Sequence, residues 1–156
     1  MKIQIIHAGD FKENFLREAF SEYVKRISPM AQIEDIPIKE RPCTNDALIE
    51  KALREEGEDI LEKLDPRAYV IALCVEGKML SSEELSALFD KCAVDSFSTI
   101  AFIIGSSHGL SDKVKGRAHL KLSFSRMTFP HQLMRVILSE QIYRALSISK
   151  GTKYHK

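Results

Sequence analysis

Two stretches, "AYVIALCV" (68–75) and "STIAFII" (98–104), are apolar at nearly every position. A strand with one wet face alternates polar and apolar residues, whereas a strand covered on both faces does not. Both runs are far too short to span a membrane. They therefore read as central strands of a sheet with helices on both sides. The segments around them agree. "KIQIIHAG" alternates as a first strand, and Pro37 in "QIEDIPI" marks a second strand at an edge. Apolar residues from Phe11 to Ile27 recur at helical spacing. Asn45 is placed to cap a helix running to Leu64, with Leu48, Ile49, Ala52, Leu53, Ile60, Leu61 and Leu64 inward and "REEGED" as solvated charge. Ser81 and Glu84 form a capping box that opens a helix to about Cys92. "AHLKLSFS" is a fifth strand, and a last helix runs from about Pro130 to Ser149. Strands alternating with helices predict an α/β fold, a mostly parallel sheet flanked by helices. At 156 residues, 1–156 is expected to form one domain.

Sites in such sheets lie beyond the carboxyl ends of the strands. Three consecutive ends carry unusual loops: "CVEGK", "IIGSSHG" and "SFSRMTF". Charge points to the same half of the chain. Residues 1–111 hold 13 lysines and arginines against 20 carboxylates, whereas 112–156 hold 10 against 2. A basic end on an acidic protein fits an anionic partner such as nucleic acid, or else a solvated face. Three cysteines without a C-x-x-C pair favour reduced thiols, and "MKIQIIHAGD" lacks the features of a signal peptide, so a cytoplasmic location is expected.

Two motifs invite other readings. "GSSHG" (105–109) matches the G-x-S-x-G nucleophile elbow, which would make Ser107 a hydrolase nucleophile with Asp112 or Glu140 and His155 as partners. The pattern is short and made of small residues, and this reading ranks last. His108, His119, His131 and His155, with Cys74 and Cys92, show no compact metal-ligand spacing, so no metal is expected. His119 reads as an ordinary hydrogen-bonded histidine. Neither phosphate-loop pattern is present. A small-molecule site here has to rely on backbone groups and apolar walls, which suits an uncharged aromatic ring.

The last helix is apolar over more than one face; only Gln132, Arg135, Ser139, Glu140, Gln141 and Arg144 keep a polar strip. It is either a central core helix or one shared with a partner subunit.

"IIGSSHGL", "LSFSRMTFPHQLMRVILSEQIYRAL" and the terminal "YHK", with "MKIQIIHAGDFKENF" and "GKMLSSEEL", together resemble the ribosomal large subunit methyltransferase H family of SPOUT methyltransferases. The resemblance spans the chain. It implies S-adenosylmethionine-dependent methylation of N3 of a pseudouridine in 23S rRNA, on the assembled ribosome. It also implies a homodimer and a C-terminal trefoil knot, an exception to the usual avoidance of knots. Carried over by position, the cofactor contacts fall at Leu73, Gly105 and Phe124, Ser125, Arg126, Met127, Thr128 and Phe129. Tyr154 and His155 are then expected to reach the partner's site. The chain departs from the family pattern at Ser106, where a second glycine is common, and at His108 and Cys74, where other polar or acidic residues are common.

Such a reaction requires loss of the N3 proton, for which His131 and His155 have the right side chains. His131 could equally hold the loop in place. Arg126, Arg135, Lys150, Lys153 and Lys156 are candidates for phosphate or base contacts, and Arg135 joins His131, Tyr154 and His155 in the expected catalytic set. Thr128 is placed to cap the last helix, with Pro130 in its first turn. The rival from another class is a non-catalytic RNA-binding dimer of the same fold.

Overall fold

A computed structural model describes residues 1–155. The elements in chain order are β1 (Lys2–Ala8), α1 (Asn14–Ile27), β2 (Gln32–Ile38), α2 (Asp46–Lys63), β3 (Tyr69–Met79) and α3 (Ser82–Val94). β4 (Thr99–Ile104), α4 (Asp112–Arg117), β5 (Leu120–Ser123), α5 (His131–Ser149) and a 3-10 turn (Lys153–His155) follow. The sheet order is β2-β1-β4-β3-β5, and every neighbouring pair is parallel. The two apolar runs stand side by side inside it. β4 is buried along its whole length.

Alternate residues feed two cores. Ile3, Ile5, Ile71, Ile100 and Phe102 pack with α1, α3 and α5, whereas Ile6, Val70, Ala72, Ala101 and Ile103 pack with α2 and α4. Pro37 sits on edge strand β2, opposite His7, where its missing N–H costs no ladder bond toward a further strand. The Asn45 side chain accepts from Ala47 N at the start of α2, and the Ser81–Glu84 capping box is present in both directions.

α5 lies between α1 and α3 and is tied to both. Lys12 N donates to Gln132 Oε1 at 2.8 Å, Ser82 Oγ to Gln141 Oε1 at 2.6 Å, and Ser86 Oγ to the Ala145 carbonyl at 2.8 Å. One face of this helix is buried in the core at Leu138, Ile142, Ala145 and Leu146, while Leu133 is exposed and Val136, Ile137, Tyr143 and Ile148 are half-buried. Among the described residues no helix is long and apolar enough to cross a membrane.

Several local expectations change. "REEGED" is not all solvated: Glu56 is buried and accepts from Arg41 N at 2.9 Å, and Gly57 admits α4, since a Cβ there would lie 2.5 Å from Ser111 Oγ. Leu48, counted as inward, is exposed. β5 is only four residues, and His119 stands just before it. Its Nδ1 accepts from Val70 N at 2.9 Å, its backbone N–H donates to Val70 O at 2.8 Å, and its ring stacks on Tyr69. β3 continues beyond the expected run. Leu122 pairs with both Leu73 and Lys78, so residues 74–77 bulge out of the ladder.

Phe102 is fully buried and meets Phe89 edge-on, with ring centroids 6.1 Å apart. Phe102→Ala is expected to cost about 3–5 kcal/mol in urea denaturation. Phe15→Ala, at a ring 66% exposed, should change stability by no more than about 0.5 kcal/mol.

Candidate active site

The β3 bulge and the carboxyl ends of β4 and β5 enclose a cavity of about 400 Å³, within the range of small-molecule sites. Each wall has a local cause. After β4, Gly105 allows the chain to fold onto itself: a Cβ there would lie 2.3 Å from the Gly109 carbonyl oxygen. Gly109 N–H then donates to Ser106 O at 2.9 Å, with Gly109 at φ +87°. After β5, Ser123 Oγ donates to Ser125 O at 3.0 Å and Met127 N to Ser125 Oγ at 3.0 Å, which shapes a turn-rich loop before α5. Thr128 does not cap that helix. The N-cap position falls on Pro130, which offers no capping side chain.

Leu73, Gly105, Phe124, Ser125, Met127, Thr128 and Phe129 all line the cavity, as does His131. Arg126 is exposed and is not part of the lining. Reasoning from the sequence missed the rim. Lys115 Nζ lies 2.5 Å from Glu76 Oε1, and the lysine holds the glutamate's carboxyl below its ordinary range. The only hint was a carboxylate in "CVEGK" facing a basic segment. Beside it, burial and the Glu76 charge push the Cys74 thiol up. Ser106 Oγ is shielded and has no hydrogen-bond partner.

Arg135 is not a surface cation. It is 2% exposed, its guanidinium stacks 3.4 Å from the Phe11 centroid, and it contacts the His7 ring and Asp10. Burial lowers its pKa against the pull of Asp35 and Asp10. It lies behind the cavity rather than in its lining, so the expected phosphate or base contact has no exposed group to make it.

The chain matches, over residues 1–155, the family model described as "Predicted SPOUT methyltransferase". It belongs to the SPOUT methyltransferase family. It is 49% identical over 160 residues to the ribosomal RNA large subunit methyltransferase H of Bacillus pumilus (strain SAFR-032), with all of both chains covered. The protein of the same name from Streptococcus agalactiae serotype III is 47% identical, again with full coverage of both. Among solved structures, a probable methylase family protein from Haemophilus influenzae Rd KW20 shares the fold at TM-score 0.52 and 13% identity, covering 99% of this chain and 70% of that one.

In this SPOUT methyltransferase the hydrolase geometry is absent. After Ser107 the chain turns back through a bridge between Ser106 and Gly109, and no helix starts before Asp112. The strand–turn–helix frame of a nucleophile elbow is therefore not formed. Glu140 and His155, its supposed partners, hold other groups. Among the described residues no three His, Cys, Asp or Glu side chains gather as metal ligands.

The tail packs on its own chain. The Tyr154 ring lies 4.5 Å from that of Tyr143, its hydroxyl donates to Glu140 Oε1 at 3.1 Å, and Arg144 sits 4.7 Å from its centroid. His155 Nε2 lies 2.7 Å from Glu83 Oε1. Lys150 and Lys153 are exposed; Lys156 lies outside the described residues.

Glu83's own backbone N–H, then His155, hold its carboxyl down to about 2, against an ordinary 4.5. The stabilisation that Glu83's charge contributes is therefore fully present above pH 4.5 and is lost as pH falls through about 2. At neutral pH, Glu83→Gln should raise amide exchange at 153–155 several-fold while β4 stays protected. Unchanged tail exchange would show that Glu83 does not hold it.

Proposed function

We propose that this SPOUT methyltransferase transfers a methyl group from S-adenosylmethionine to N3 of a pseudouridine in 23S rRNA. In this reading it acts on the assembled ribosome, in the cytoplasm, as a homodimer whose C-terminal segment is threaded as a trefoil knot. One observation carries the proposal: three strand-end loops converge on a single cavity in a chain 47–49% identical, end to end, to proteins named ribosomal RNA large subunit methyltransferase H.

The cavity fits the cofactor. Leu73, Ile104, Leu110, Leu122, Phe124 and Met134 give apolar wall. Gly105 keeps the 105–109 turn tight, and the orphaned Ser106 hydroxyl sits where a polar ligand atom could satisfy it. Bound there, S-adenosylmethionine supplies an electrophilic methyl group on a positively charged sulfur. The protein holds the acceptor in line, keeps water out and removes a proton. His131, which shares the cavity wall with His108, takes the role of base in this reading. Exposed Arg126, Lys150 and Lys153 are free to meet phosphates.

A labelled-methyl assay on ribosomes from a strain lacking this modification should place the label on N3; no incorporation would overturn the reading. Gly105→Ala should weaken S-adenosylmethionine binding at least about tenfold by calorimetry, because the added methyl collides with backbone rather than with a movable side chain.

The tail is a separate test. Deleting residues 154–156 should leave cofactor affinity within about twofold while ribosome methylation collapses. Full turnover would remove the tail from the mechanism.

A further inference from the structure

A second polar group stands behind His131. The imidazole Nε2 is shielded from solvent and has no hydrogen-bond partner. At 3.8 Å lies Glu40 Oε1, from the loop after β2. Both side chains are about three-quarters buried, at 23% and 24% exposure.

The fold fixes this meeting. Gly9 N donates to Ile38 O at 3.0 Å, which holds the ends of β1 and β2 together. At φ +73°, Gly9 turns away and leaves room for the carboxylate; a Cβ at Gly9 would lie 2.8 Å from Glu40 Oε2. The Lys12–Gln132 bond anchors the start of α5 to the loop after β1, and so sets His131 beside Glu40.

Neighbouring carboxylates are engaged elsewhere. Asp10 lies near Arg17 and Arg135, and Asp35 lies 2.9 Å from His7. Among the described residues Glu40 has no lysine or arginine partner and no hydrogen bond. A buried imidazole nitrogen without a partner carries a desolvation cost that is relieved when a carboxylate accepts its hydrogen. A side-chain rotation, or one bridging water, closes 3.8 Å to a hydrogen bond. Catalytic hydrogen bonds are often long before substrate binds.

We infer that Glu40 is a positioning residue: it accepts the Nε2–H of His131 and so leaves Nδ1 as the nitrogen that takes the substrate's N3 proton. The inference rests on the proposed methyl transfer. With the proton on Nε2, the lone pair is on Nδ1. The N3–H bond breaks and its proton ends on Nδ1, while the N3 electron pair forms the bond to the methyl carbon. The sulfur–methyl bond breaks with its pair left on sulfur, so one positive charge passes from sulfonium to imidazolium. Glu40 then faces that cation, and the hydrogen bond becomes charge-assisted.

The test compares the full-length protein with E40A, E40Q and H131A. In the parent, proton NMR of the cofactor-free protein should show a slowly exchanging imidazole N–H that H131A removes. E40A should lose this signal. Its turnover on ribosomes should fall about tenfold to hundredfold, with S-adenosylmethionine affinity within about twofold by calorimetry. E40Q retains an acceptor oxygen but not the charge, so it should keep the N–H signal and still turn over more slowly than the parent. A signal that survives in E40A, or E40A turnover within twofold of the parent, would overturn the inference. E40Q turning over like the parent would equally remove the role of the charge. If the parent itself transfers no methyl group, the proposed function fails, and the N–H signal still decides whether Glu40 holds His131.

Discussion

Burial of β3 and β4 on both faces is the constraint from which the site follows. A parallel pair covered above and below has no wet surface on which to place polar side chains. Ile71, Ile100, Phe102 and Ile103 are fully buried, and helices occupy both sides. Polar chemistry is thereby displaced to where the regular ladder stops, and the β3 bulge and the turns that leave β4 and β5 open on the same side of a parallel sheet. The cavity is the consequence of that displacement.

Two glycines then decide how closely those turns pack. Gly105 presses on the backbone of Gly109, and Gly77 lies where a Cβ would meet the Lys121 and Leu122 backbone at 2.7 Å. Both contacts are to main chain, which cannot swing aside as a lysine tip can. The β3 bulge at 74–77 depends on the second of them, and it projects Cys74, Val75 and Glu76 into the cavity wall. Without the bulge the strand would continue straight, and the Glu76–Lys115 rim could not form at this place.

Much of this was legible in the sequence, for identifiable reasons. Continuous apolar runs, the Asn45 cap, the Ser81–Glu84 box and the edge proline are local signals, and each has one dominant physical meaning. The loops at three strand ends were legible because they broke that grammar. What stayed hidden was set by tertiary neighbours. Arg135 reads as one more cation on a polar strip until Phe11 and Phe20 are placed around it. Glu56 reads as solvated until Arg41 returns from an upstream loop. Thr128 has the chemistry of a cap, but α5 begins after Pro130. Glu40 gave no signal at all, since its partner is ninety-one positions away along the chain.

Net charge was informative in a similarly partial way. The excess of lysine and arginine in 112–156 is an excess in sequence, not on one surface. Lys115 faces Glu76, Arg144 faces Glu140, Arg135 is buried, and Arg117 Nη2 donates to the Pro66 carbonyl at 2.9 Å. Those four are engaged within the protein and offer little field to an incoming phosphate. Lys113, Lys121, Arg126, Lys150 and Lys153 remain exposed. Surface charges separated by more than about 8–10 Å are largely screened at physiological salt. Attraction for RNA therefore depends on where those five stand relative to the cavity mouth rather than on the segment's total. Arg126 lies in the loop that shapes the cavity, between the lining residues Ser125 and Met127, and of the five it alone has lining residues on both sides in sequence.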